Sequence, residues 1–352
     1  MRLDRPPPDE AYLSLPADFG RRFALFIDTE EEFDWSRPHS RDARSTRAVA
    51  AIPEMQERLR SHGVAPVYLV DHPIATDPAA IAILAPIQES GECEIGTQLH
   101  PWVSPPFEEE LNLRNSFAGN LPAALERAKI ARLTEAVEAG FGRRPRIYRA
   151  GRYGVGPHTG DILESLGYAA DASVRPLFDY RGEGGPDFSS ARPRPFRAGA
   201  LVEIPLCAAL TGPLGRAGAG LYRAIDRRPL LRSLAARTHL LSRVSLTPEG
   251  MPAAEVADAV RRLSAQGVRL FTFSFHSPSL EPGHTPYVRT AADLARFHLW
   301  WEEIFGFLEG EGIRPASLEE ILAATARAAA SNPGPASLSP GASTDKGPVA
   351  QR

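Results

Sequence analysis

The stretch Phe23-Ala24-Leu25-Phe26-Ile27-Asp28-Thr29-Glu30-Glu31-Glu32-Phe33-Asp34-Trp35 decides how this chain is read. Its opening, Phe23–Ile27, is an unbroken apolar run, the pattern of a strand covered on both faces. Five of the seven residues from Asp28 to Asp34 are then acidic. If the chain stays extended through Glu30, Asp28 and Glu30 point the same way, because side chains alternate along a strand. Carboxylates crowded at the mouth of a buried strand repel, and a bound cation or a proton on one of them relieves the penalty. The ordinary alternative is a solvated acidic turn opening a helix, where negative charge favours the positive end.

Working outward, apolar strand-like runs alternate with helical patterns. Residues 47–61 read as a helix stopped at Gly63, and Val67–Val70 as the next strand. Asp77 followed by Pro78 opens a helix, a capping side chain with proline in the first turn. Further strands are expected at Cys93–Thr97, Arg146–Arg149, Tyr168–Val174, Leu201–Ile204 and Leu270–His276. Further helices are expected near 121–139, 290–309 and 317–330. About seven strands separated by helices imply a parallel sheet, either closed into a barrel or open and doubly wound. Residues 1–21 read as an irregular lead-in, 22–330 as one domain, and 331–352 as a disordered tail of Gly, Pro, Ser and Ala with little to bury.

Composition narrows the function classes. The chain has 352 residues, 43% hydrophobic and 24% charged, which is ordinary globular usage with room for a sizeable core. A net charge of -3 and no basic stripe argue against nucleic acid as a partner. Cys93 and Cys207 stand alone, so no disulfide framework is expected and a cytoplasmic setting fits. The N-terminal residues lack the continuous apolar stretch of a signal peptide, and no segment is long enough for a membrane span. A dinucleotide-type glycine pattern, a serine-nucleophile elbow, H-E-x-x-H, a phosphate loop and paired C-x-x-C are all missing.

In parallel α/β sheets the chemistry sits at the C-terminal strand ends. Those ends carry Asp28 and Glu30, His100, Arg149, Asp171 and His276. Each alone has a structural reading: a core-rim ion pair for Arg149, a satisfied histidine for His100. Random placement would scatter such groups over both ends of the sheet, so their coincidence at one end points to catalysis.

The order of these motifs resembles the polysaccharide deacetylases with a NodB-homology domain, carbohydrate esterase family four, from about Phe23 to Ala330. Phe26-Ile27-Asp28-Thr29-Glu30 resembles the first motif. Glu94-Ile95-Gly96-Thr97-Gln98-Leu99-His100 resembles the second, and Arg149-Ala150-Gly151-Arg152-Tyr153-Gly154 the third. Asp171-Ala172-Ser173 resembles the fourth, and Phe273-Ser274-Phe275-His276 the fifth. Asp28–Trp35, Leu99–Trp102 and His276–Leu280 are most similar to the WalW-like branch.

The resemblance implies a distorted (β/α)7 barrel and a metal-assisted hydrolase that removes acetyl groups from N-acetylated sugars. It implies Asp28 as base, His276 as acid, and Glu30 and His100 as ligands of a divalent metal, zinc being the first expectation. Arg149 and Asp171 would position and tune Asp28 and His276, while Trp102, Phe107 and Tyr153 either stack on sugar faces of an acetylated glycan or serve as packing. The family's second motif usually carries two metal histidines four residues apart. Here Gln98 and Trp102 stand at those places and Glu30 follows Asp28 only after Thr29, so the ligand set is thin for zinc. Two alternatives follow: an amide hydrolase for a small non-sugar substrate, or an inactive barrel that binds a glycan or partner.

Overall fold

The structure, a computed structural model, describes residues 2–217 and 240–331, with 220, 222, 224 and 238 between them. Apart from Ser331, the proposed tail lies outside the described residues.

Eleven strands are described: β1 Arg22–Thr29, β2 Val67–Val70, β3 Glu94–Leu99, β4 Ile147–Ala150, β5 Ala170–Asp171, β6 Phe196–Ala198, β7 Leu201–Glu203, β8 Ala208–Thr211, β9 Ser242–Ser245, β10 Leu270–His276 and β11 Arg314–Pro315. The main sheet runs β10-β1-β2-β3-β4-β5-β7-β6, with β11 also on β1; β8 and β9 pair separately. Its pairings are parallel except the β6–β7 hairpin.

Two-residue alternation sorts the side chains into two cores. In β1, Phe23, Leu25 and Ile27 face the outer helices, while Ala24 and Phe26 face the concave side. In β10, Phe271, Phe273 and Phe275 likewise face outward, against Phe297 and Trp301 of the helix Ala291–Gly310. The concave core joins Phe26, Val67, Leu69, Ile147, Ala170 and Leu270 and is closed at its lower end by Phe19, Leu318 and Ile321. It is tight: a Cβ on Gly96 would lie 2.7 Å from Ile147 Cγ2.

The two sides of the curled sheet approach through side chains rather than a ladder. After β7, Ile204 N–H donates to Asp171 O at 2.8 Å and Leu206 N–H to Val174 O at 2.9 Å. Thr272 Oγ1 of β10 then donates to Pro205 O and accepts from Cys207 N–H, both at 2.7 Å. Among the described residues no ladder joins β10 to β6 or β7. The architecture shown is therefore a mixed α/β fold with a curled half-barrel sheet.

Several expected boundaries shift for local reasons. The helix expected over 47–61 is a 3₁₀ segment, Arg47–Ala51, followed by α1, Ile52–Ser61, which restarts at Pro53. The expected strand Tyr168–Val174 pairs only at Ala170–Asp171, because Ser173 Oγ, not a backbone carbonyl, accepts from Ala150 N–H at 2.8 Å. Helices at Thr159–Ser165 and Ala253–Ala265 were not anticipated. The lead-in packs rather than trails, with Leu3, Tyr12 and Leu13 buried and Leu13 N–H donating to Pro195 O at 2.8 Å. Cys93 and Cys207 are both buried free thiols. Among the described residues no helix is long and apolar enough to cross a membrane.

Candidate active site

Above Phe26, the concave face turns polar at the C-terminal strand ends. Asp28 and Glu30 continue the inward parity of β1, Gln98 and His100 that of β3, Arg149 that of β4 and His276 that of β10. These six side chains line one cavity of about 560 Å³. Asp28 and His276 are direct partners in the β1–β10 register, and Gln98 and Arg149 in the β3–β4 register.

Asp28 is 2% exposed. Its Oδ1 accepts from Arg149 Nη1 and its Oδ2 lies 3.6 Å from His276 Nε2. Arg149 is wholly buried, with Nε donating to Ala172 O at 2.9 Å and its guanidinium 5.3 Å from the centre of the Phe26 ring. It is thus clamped on the carboxylate from behind.

His276 is held from the other side. Its Nδ1 lies 2.7 Å from Glu249 Oε2, and its backbone N–H donates to Glu249 Oε1 at 3.1 Å. Ser279 Oγ also donates to Glu249 Oε1 at 2.6 Å. A carboxylate on Nδ1 fixes the tautomer and leaves Nε2 toward the cavity. Burial disfavours the imidazolium, but Glu249, Glu30 and Asp28 together outweigh it and bring the pKa up to about 10.

The third part surrounds His100. Its Nδ1 lies 2.7 Å from Glu31 Oε2, and Trp102 Nε1–H donates to Glu31 Oε1 at 2.7 Å. Asp71 accepts from Glu31 N–H and from Ile74 N–H, both at 2.9 Å. Glu31, Asp71 and His100 are close enough to chelate an ion. Their ligand atoms are already engaged with one another and with Trp102 and Ile74, so they read as a scaffold that orients His100. Burial first, with Glu30 also raising and the Asp71 and Trp102 bonds lowering, brings Glu31 up to about 8. Burial and the Glu31 charge likewise raise Asp71.

That scaffold leaves His100 Nε2 3.5 Å from Glu30 Oε2. Glu30 Oε1 and Gln98 Oε1 are buried without a hydrogen-bond partner among the described residues. Burial brings Glu30 up to about 7, with the His276 and His100 charges opposing. Glu30, Gln98 and His100 line the same cavity, and buried acceptor oxygens there without a donor fit a divalent cation. A carboxylate, an amide oxygen and one imidazole are a harder set than the thiolate and imidazole sites that zinc favours. Gly151 makes the His100 position possible: a Cβ there would lie 2.3 Å from His100 Cδ2.

Three of the expected residues stand off the open cavity or lack a free face. Asp171 does not line the cavity. It is buried behind Arg149, where its Oδ1 accepts from Ser173 Oγ at 2.7 Å and it sits opposite Glu203 in the β5–β7 register. Its influence on Asp28 runs through the Ala172–Ser173 segment that holds Arg149. Phe107 also lies off the cavity, with Arg41, Arg44 and Lys129 set over its ring. Trp102 lines the cavity but is 1% exposed, and its indole stacks on both His39 and His100, with centroids 4.1 and 4.3 Å away. It has no open face for a sugar. Tyr153 does line the cavity, in a backbone with positive φ at both Arg152 and Tyr153. Such consecutive left-handed residues are costly and cluster at functional sites.

Five contributors were missed. Asp71 directly follows a strand the sequence identifies, so the strand-end rule already pointed to it. Glu31 breaks the inward parity, because β1 ends at Thr29. Arg175 likewise directly follows an expected strand, Tyr168–Val174, whereas Glu249 sits in a loop with no periodic signal. Trp35, 37% exposed and edge-on to His276 at 4.9 Å, is the more open aromatic wall.

No family model matches this chain, and no curated protein does. Among solved structures it is similar to a provisionally named polysaccharide deacetylase from Mycobacterium smegmatis, at 16% identity and a TM-score of 0.48, covering 89% of this chain and 98% of that one. It is also similar to a GH57 branching enzyme from Thermococcus kodakaraensis, at 13% identity and 0.48, covering 86% and 71%. A CE4 family pseudoenzyme from Bacillus anthracis matches at 8% identity and 0.43, covering 86% and 66%. These likenesses are distant and include active and inactive proteins.

Proposed function

We propose that this chain is a metal-assisted hydrolase that removes acetyl groups from N-acetylated sugars of a glycan or its precursor, acting in the cytoplasm. The observation that carries the reading is the Asp28–His276 pair: two register partners with Oδ2 and Nε2 3.6 Å apart at one cavity, each backed by an opposite charge. Arg149 holds Oδ1 of Asp28 and leaves Oδ2 on the His276 side, so Asp28 is the base that takes a proton from water. Glu249 keeps His276 Nε2–H available, so His276 is the acid that protonates the departing amine. Glu30, Gln98 and His100 would hold a divalent cation, which when bound polarises the amide carbonyl and acidifies water. Asp171 and Ser173 position Arg149. Tyr153 and Trp35 form the aromatic walls for the sugar rings.

A second reading, an inactive glycan-binding barrel, is favoured by one observation, the amide at Gln98 in place of an imidazole. Acetate release from N-acetylated amino-sugar oligomers separates the two. The hydrolase releases acetate, loses activity to a chelator and regains it with added divalent metal. Absence of release from every such oligomer, with zinc, cobalt or manganese supplied, would leave the binding reading standing.

A further inference from the structure

Four arginines line the cavity: Arg37, Arg149, Arg152 and Arg175. Three have carboxylate partners. Arg37 Nε lies 3.2 Å from Asp34 Oδ2, Arg149 holds Asp28, and Arg152 holds Glu183. Arg175 differs. Among the described residues no carboxylate lies within ion-pair distance of it. Its Nη1 donates to Tyr180 Oη at 3.2 Å and its Nη2 to Ser245 Oγ at 3.3 Å, two long bonds to neutral hydroxyls. A guanidinium carries five N–H donors, so most remain for a ligand.

The side chain is also fixed in place. Its guanidinium carbon lies 3.9 Å from the centre of the Phe178 ring and 4.8 Å from that of Tyr153. Tyr180 stacks on both Tyr153 and Phe178. Aromatic faces compensate a cation only in part, and a planar fork held against them is preorganised for a bidentate anion. The acidic floor of Asp28 and Glu30 and this unpaired cation therefore belong to different portions of one cavity. An acetylated neutral sugar would leave the cation without a counter-charge.

We infer that the substrate carries an anionic group, a carboxylate or a phosphate, on the sugar whose acyl amide reaches Asp28, and that Arg175 binds it. This inference rests on the hydrolase reading for the placement of the amide, but its test is a binding ratio and does not need turnover. The full-length wild-type chain, kept metal-free with a chelator, would be titrated by calorimetry with three matched monosaccharides: N-acetylglucosamine, the same sugar oxidised to a carboxylate at C6, and its 6-phosphate.

At least one charged form should bind about tenfold or more tightly than the neutral sugar, and which one does so identifies the source of the charge. Arg175→Gln should bring that ratio toward one, with Arg175→Lys falling between. Circular dichroism and Tm show whether each variant folds; if Arg175→Gln does not, Arg175→Lys must still lower the ratio. Equal affinity for all three sugars, failure of any to bind at millimolar concentration, or a ratio unchanged in the folded variants would overturn the inference. Acetate release from neutral oligomers with no charge discrimination would sink it while sparing the hydrolase reading.

Discussion

Replacing Glu249 by Gln isolates the support of the proposed acid. The amide oxygen can still accept from Nδ1 of His276 in the place of Oε2, while the NH2 stands where Oε1 accepted from the His276 N–H and from Ser279, so the shape is kept while the charge and one acceptor go. With all carboxylates in place His276 stands at about 10 against an ordinary 6.5. That net preference for the imidazolium corresponds to about 5 kcal/mol, after the opposing cost of burial. Glu249 leads the carboxylates that produce it, ahead of Glu30 and Asp28. A hydrogen bond to a charged group contributes about 1.5–3 kcal/mol, so losing the charge should lower the His276 pKa by about 1–2 pH units.

The sign has two consequences. The alkaline limb of the rate profile, where the acid loses its proton, should move to lower pH by that amount. The stability that the raised pKa contributes, full below pH 6.5 and lost as pH rises through about 10, should shrink by up to about 3 kcal/mol. The assay is a nitrogen-detected NMR titration of His276 in metal-free protein, paired with kcat/KM against pH. A His276 titration that stays put or moves upward in folded Glu249→Gln would refute the reasoning.

Gln98→His should tighten zinc binding by at least an order of magnitude, since an imidazole nitrogen replaces an amide oxygen; isothermal titration measures it, and unchanged affinity removes Gln98 from the ligand set. Glu126 is a buried carboxyl bonded by Thr159 Oγ1, and burial brings it up to about 7 from 4.5. The native state resists its ionisation, so wild-type stability should fall as pH rises from about 4.5 to about 7. Glu126→Gln should remove that loss and gain about 1–3 kcal/mol at pH 8 but little at pH 4.5, read as Tm against pH.

The sequence revealed what strand periodicity carries. Phe23–Ile27 and Leu270–His276 were legible as buried strands, and their ends located Asp28 and His276 before any pairing was known. Their register was not legible, because it depends on packing between segments about 240 residues apart. Glu249 escaped for a related reason: it lies in a loop whose course is set by contacts to β10. Whether Trp102 and Phe107 are sugar platforms or packing was not legible, because composition shows that an aromatic ring is present but not which of its faces is covered. Asp171 was misplaced by one layer; its strand was identified, but side-chain parity could not be counted through a strand that pairs over two residues only.

If Asp28 and His276 act as base and acid at one cavity, Asp28→Asn removes the base alone. Asparagine keeps the shape of the side chain and removes its ability to take a proton. The measurement is acetate release from an N-acetylated amino-sugar oligomer with divalent metal present, with circular dichroism as the folding control. The fold should be unchanged and the rate lower by about a hundred- to ten-thousand-fold. Near-normal acetate release from folded Asp28→Asn would contradict it.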